Sequence, residues 1–134
     1  LYFGVGRNIL IPGEKEEQVP VISFKYEMNQ WFIATNYIES YEVYGVKVDS
    51  HVVFAGGYKV FKYDFSRNKY FYTDLGLATT KKSIANSSDI LFYVGFGFYF
   101  EGFTAEVIHT SNGGFDPPNE GETSFTIGYS ISFD

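Results

Sequence analysis

The sequence predicts an all-β fold, an eight-stranded antiparallel up-and-down transmembrane β-barrel, and three observations predict it. Apolar and polar residues alternate with period two in eight segments, at about 1–10, 20–29, 31–41, 51–62, 69–78, 90–100, 103–111 and 122–133. The connections between them alternate strictly between short and long. The polar parity of the clearest segments carries small or phenolic side chains, where a wall facing water would carry Lys and Glu. An even number of strands lets such a barrel close with both termini at one end.

Taken in order, the first segment, "LYFGVGRNIL", alternates from its start and lacks a basic stretch followed by an apolar one, so the chain reads as one without a signal peptide. Arg7 falls on its apolar parity. In the second segment Lys25 and Glu27 share the polar, inward parity, where paired lumen charges are the default. The third, "WFIATNYIES", has no clean parity and its faces stay unassigned. His51 opens the fourth after a loop and reads as a solvated residue. In the sixth, Ile90, Phe92, Val94, Phe96, Phe98 and Phe100 oppose Leu91, Tyr93, Gly95, Gly97 and Tyr99. The seventh sets Phe103, Ala105 and Val107 against an inward Glu106. The eighth sets Phe125, Ile127, Tyr129, Ile131 and Phe133 against Ser124, Thr126, Gly128, Ser130 and Ser132. Side chains of one parity share one side of a sheet.

The short connections are "MNQW", "DFSRN" and "EG"; the long ones, "IPGEKEEQV", "EVYGVKVDS", "TTKKSIANSSD" and "NGGFDPPNEG", are polar. All long loops therefore gather at one end and all tight turns at the other, which is the layout of bacterial outer-membrane barrels. A soluble lipocalin-like barrel alternates too, with its apolar side inward; the small and phenolic polar parity argues against it. The "EKEE" run at 14–17 is a solvated loop tip or a divalent-ion ligand, and "NSS" at 86–88 fits a glycosylation sequon that is irrelevant in a bacterium.

Composition narrows the function. The 134 residues suit one domain, 1–134, and a chain that is 21% aromatic, with 12 Tyr, 15 Phe and 14 Gly, favours strands. With no cysteine there is no disulfide scaffold and no thiolate chemistry. A net charge of -6 without a basic stripe sets nucleic acid aside.

The candidate site lies where the seventh segment breaks its own pattern. His109 and Ser111 continue the face of Phe103, Ala105 and Val107. On a lipid-facing wall they would sit at the loop end, at outer-leaflet depth. Positions two apart on one face are about 6–7 Å apart, within reach of an imidazole leaning along the strand. Such a histidine takes the serine proton as the hydroxyl attacks a carbonyl, then returns it to the leaving group. An interfacial histidine beside a loop serine is the plainer reading. Arg7 belongs to the same region, because closure sets the first strand beside the last; it either extends its head group to water or holds a lipid phosphate.

The run "HTSNGGFDPPNEG", residues 109–121, preceded by "GFGFYFEGFTAEVI" and followed by an alternating terminal strand, resembles the lipid A 3-O-deacylase (PagL-like) outer-membrane barrel family. The likeness in detail covers about the final 45 residues; earlier strands match in layout. That family places a His-x-Ser-Asn motif on the outer barrel wall, followed by a Pro-Asn-x-Gly element in the last loop. The resemblance implies an esterase that hydrolyses an acyl ester of lipid A in the outer leaflet, with lipopolysaccharide and membrane lipids as partners and no cofactor or metal. It implies Ser111 as nucleophile, His109 as base, and Asn112 with the backbone around Gly114 as the oxyanion hole.

The family's acid falls two residues after the glycine of that element, and here that residue is Thr123. A threonine hydroxyl orients an imidazole but cannot neutralise an imidazolium. Glu122 points inward by strict parity; a bulge near Gly121 would turn it outward as the catalytic acid, with Glu120 in reserve and a Ser-His dyad as the third option. The missing acid favours the alternative, a non-catalytic small outer-membrane barrel serving as a structural or partner-binding subunit.

Overall fold

The computed structural model describes residues 1–9, 18–115 and 121–131. Its strands are β1 (Tyr2–Ile9), β2 (Val19–Met28), β3 (Trp31–Ile38), β4 (Tyr41–Val43), β5 (Val46–Val48), β6 (His51–Ser66), β7 (Lys69–Thr79), β8 (Leu91–Phe100), β9 (Phe103–Ser111) and β10 (Glu122–Ser130). Eight of them close an antiparallel barrel in the order β1-β10-β9-β8-β7-β6-β3-β2, and β4 pairs only with β5. Closure runs from Tyr2 opposite Ser130 to Ile9 opposite Thr123. The eight predicted segments correspond to the eight barrel strands, and every neighbouring pair is consecutive in the chain except for the closing one and for β3 with β6.

Two connections differ from their sequence reading. "EVYGVKVDS" holds the β4–β5 hairpin, turned at Tyr44 and Gly45 with φ of 49° and 76°. Such a pair of positive φ values matches the right-handed twist of two strands joined by two residues. Near the turn end, "DFSRN" contributes its first three residues to β6, leaving Arg67 and Asn68 as the turn. The "EKEE" run lies outside the described residues.

The apolar parity faces outward. On β8, Leu91 and Tyr93 are buried while Phe92 and Phe96 are 48% and 58% exposed. Val5, Phe24, Ile33, Phe54, Leu77 and Ile127 extend the same exposed wall around the cylinder. An apolar surface of that extent calls for lipid, and a closed barrel leaves no unpaired strand edge in the hydrocarbon. Aromatic pairs gather toward the turn end, among them Trp31 with Tyr58 at 5.2 Å and Phe103 with Tyr129 at 5.4 Å between ring centroids. Rings at that level belong to the interfacial girdle of a transmembrane barrel.

The lumen is filled in two layers. Toward the loops it is apolar: Val21, Val53, Leu91, Tyr93 and Ile108 pack together, joined by Tyr41, Val43 and Val48 from the β4–β5 region and by Ala85, and Phe32 extends the cluster down to Lys25. This layer explains why β3 showed no parity. Phe32, Ala34 and Ile38 point into the apolar layer, while Trp31, Ile33 and Tyr37 point outward, so both faces are apolar.

Below lies a charged layer. Lys25 Nζ contacts carboxylate oxygens of both Asp74 and Glu106, all three buried. Lys59 reaches Glu27 at 2.9 Å and Asp74 at 3.9 Å, with its Nζ 3.7 Å from the Tyr72 ring centroid. Lys25, Glu27 and Glu106 face inward as the alternation predicts; Lys25 lies 3.7 Å from Glu27, and its close partners are Glu106 and, from β7, Asp74. Beneath this layer a cavity of about 420 Å³ opens at the turn end, lined by Tyr2, Lys25, Glu27, Arg67, Tyr70 and Tyr99 among others.

Breaking a buried ion pair from one side strands the remaining charge, at a typical cost of about 3–5 kcal/mol. Lys25→Met leaves Asp74 and Glu106 facing each other, so its urea unfolding midpoint in vesicles is expected to fall. The triple variant K25M/D74N/E106Q, which removes all three charges, is expected to recover most of that loss.

Candidate functional site on the outer wall

Strand β10 carries two different chemistries on its opposite faces at the loop end. Thr123 and His109 face each other across β10 and β9, both outward and half-buried. His109 Nδ1 lies 2.9 Å from Thr123 Oγ1. When Nδ1 carries the proton and donates it to the threonine oxygen, Nε2 keeps its lone pair and is available as a base. Ser111 closes β9 on the same face.

Gly121 fits these residues together. Its φ is +69°, and a Cβ there would lie 2.8 Å from His109 Cε1, 3.0 Å from the Thr110 carbonyl oxygen and 3.1 Å from Ser111 Cβ. Imidazole and serine therefore flank one point, and any larger residue at 121 would fill it. The Gly121 N–H donates to the Ala85 carbonyl at 2.8 Å, which fixes the start of β10 against the 80–89 loop.

Glu122 corrects the sequence expectation. No bulge re-aims it: the register with β9 runs unbroken through Glu122 opposite Thr110 and Thr123 opposite His109, so strict alternation turns its side chain inward. There it is 2% exposed. It accepts from the Tyr41 hydroxyl and, at 2.7 Å, from Asn86 Nδ2; His51 Nε2 lies 2.9 Å from Oε1. Glu122 is thus a buried anchor and not the acid beside His109. Glu120 lies outside the described residues, and among those described no carboxylate touches His109.

Two further expectations change with it, for His51 and for the oxyanion donors. His51 is buried and not solvated, with Nδ1 2.8 Å from the Asp49 carbonyl oxygen. Its parity, inward at the loop end like that of Glu122, is the signal that could have paired the two. Asn86 of the sequon is fully buried. The expected oxyanion donors are engaged elsewhere: buried Asn112 donates through Nδ2 to Ser87 and Ser88 at 3.1 and 3.0 Å, and its Oδ1 accepts the Gly114 N–H at 2.8 Å. These contacts tie the 112–115 segment to the 80–89 loop, directly beside Ser111.

Removing the Glu122 carboxylate leaves three buried polar partners to find others, each costing about 1–3 kcal/mol when left unsatisfied. Glu122→Ala is expected to loosen the loop end, read as faster tryptic cleavage after Lys81 and Lys82 in the folded, vesicle-inserted protein. Unchanged cleavage would mean that the anchor contributes little.

No family model matches the chain, and no curated protein does. Two solved structures are similar to it. The outer membrane enzyme PagL aligns over 98% of this chain and 98% of its own, with a TM-score of 0.64 and 15% sequence identity. The outer membrane protein Ail of Yersinia pestis, solved in a phospholipid bilayer nanodisc, aligns over 97% of each chain, with a TM-score of 0.51 and 16% identity. At such identities the likeness is one of fold: the chain has the eight-stranded barrel architecture of these outer-membrane proteins.

Proposed function

We propose that this protein is a bacterial outer-membrane esterase that hydrolyses an acyl ester of lipid A from the lipid-facing side of its own wall. The observation that carries the reading is the contact of His109 Nδ1 with Thr123 Oγ1, made on the apolar face and beside Ser111. An imidazole whose Nδ1 is held by a hydroxyl, with a serine two residues on along the same face, supports a Ser-His hydrolase. Its position at the loop end matches the depth at which acyl esters meet head groups.

The steps follow from these groups. Ser111 Oγ attacks the ester carbonyl as His109 Nε2 takes its proton; the tetrahedral alkoxide collapses, and the imidazolium protonates the departing sugar oxygen. Water, deprotonated by His109, then attacks the acyl-serine and releases the fatty acid. Thr123 orients the ring, and when Nδ1–H donates to its hydroxyl Nε2 is left basic. Being neutral, it stabilises the imidazolium less than a carboxylate would; in a serine protease, replacing the acid by its amide lowers the rate about 10⁴-fold, partly by imposing the wrong tautomer. The reading requires no cofactor.

A second reading has an observation of its own. With no carboxylate on His109 among the described residues, and with the Asn112 and Gly114 donors engaged, the chain also suits a barrel that binds lipid or a protein partner without catalysis. Fatty-acid release from purified lipopolysaccharide decides between the two. The wild type is expected to release acyl chains slowly and Ser111→Ala to release none above background; equal release by both would remove the serine from the mechanism. Thr123→Glu restores a carboxylate opposite His109 and is expected to raise kcat at least about tenfold.

A further inference from the structure

Arg7 stands on the outer wall close to the candidate dyad. Among the described residues of the eight barrel strands, the outward parity carries charge at Arg7 and, at the turn end, at Lys69, which lies against the Phe100 ring. The Arg7 guanidinium has no ion pair or hydrogen bond with any described residue, and the side chain is exposed between Pro20 and Phe125, its neighbours in register. An arginine on the lipid face of a barrel costs between nearly nothing at the interface and about 2–4 kcal/mol at the bilayer midplane.

The register places it. Arg7 pairs with Phe125, Phe125 with Val107, Val107 with Phe96, Phe96 with Thr73, and Thr73 with Phe61. This line begins near the loop end of β1 and finishes toward the turn end of β6, so it descends in passing from β1 to β10 to β9. His109 stands two residues above Val107 on β9, and that rise offsets the descent. Arg7 and His109 therefore lie at nearly the same depth. Two strand spacings and two residues put their Cα atoms about 11–12 Å apart along the wall. The wall between them carries Phe125 and Thr123.

We propose that Arg7 is an anion-binding subsite of the same wall, and that it takes a phosphate carried on the sugar of the glycolipid whose acyl ester reaches Ser111. The inference rests on the proposed esterase reading for its substrate, but its readout is binding. A guanidinium matches a phosphate with two parallel N–H···O bonds. The separation selects the kind of lipid. A glycerophospholipid carries its phosphate and both of its esters on three carbons of one flexible glycerol chain, which holds no fixed separation between them. A phosphorylated sugar holds phosphate and acyl ester on a rigid ring, or on two rings of a disaccharide, and lies flat enough along the interface to touch both.

The test uses the full chain in detergent with Ser111→Ala as background, so that no lipid is turned over, and counts bound lipid by native mass spectrometry. Arg7→Gln is expected to weaken retention of a phosphorylated acyl glucosamine lipid about tenfold, a loss in keeping with one charge-assisted phosphate contact. It should leave the dephosphorylated lipid unchanged, and Arg7→Lys should lose less. Phosphatidylglycerol and inorganic phosphate serve as the other anion sources and are expected to show no dependence on residue 7. Equal retention of the phosphorylated glycolipid by wild type and Arg7→Gln overturns the proposal, as does a loss that is the same for the dephosphorylated lipid or for phosphatidylglycerol. If lipopolysaccharide is never deacylated but the Arg7-dependent retention is seen, the esterase reading fails and the subsite stands. Deacylation without that dependence gives the reverse.

Discussion

Everything in this molecule follows from the requirement that a backbone in hydrocarbon satisfy its own hydrogen bonds. A sheet meets it only by closing, and here β1 closes on β10. Closure leaves no freedom of register, because a slip by one residue would carry phenylalanines into the lumen and lysines into lipid. The alternation of side chains is therefore a hard constraint on every strand, including the one that bears the candidate site.

At the start of β10 this constraint splits adjacent residues between two environments. Glu122 enters the lumen and gathers Tyr41, His51 and Asn86; Thr123 leaves it and meets His109. Gly121, immediately before them, is pinned by the Ala85 carbonyl and leaves open the space that the imidazole and serine flank. The inner anchor and the outer site thus share one short stretch of backbone. A carboxylate placed to hold loops together is unavailable to His109, although that histidine stands opposite the very next residue of β10.

The barrel was legible in the sequence because alternation and loop length are local properties, readable without knowing which strands meet. So were the outward placement of His109 and Ser111 and the inward placement of Lys25, Glu27 and Glu106. What escaped depended on long-range company. The faces of β3 were hidden because half of the lumen is apolar, so Phe32 and Ile33 look alike in a pattern although one is buried and the other faces lipid. His51 looked solvated because its partner lies 71 residues away on a strand that is not its neighbour in the sheet. The idea of a bulge at Gly121 gave Glu122 a role that the unbroken pairing with β9 does not permit. The family resemblance implied Asn112 and the backbone around Gly114 as the oxyanion hole, yet the Asn112 amide is tied to the 80–89 loop, whose approach no local pattern reveals, and its Oδ1 takes up the Gly114 N–H.

The two-layered filling of the lumen has a corollary. Rings and branched aliphatics crowd the half nearer the loops, and below them the lysine and its carboxylates bridge the bore, so among the described residues no continuous aqueous path runs from end to end. A bore bridged in this way differs from that of a porin, whose larger strand number leaves an aqueous channel.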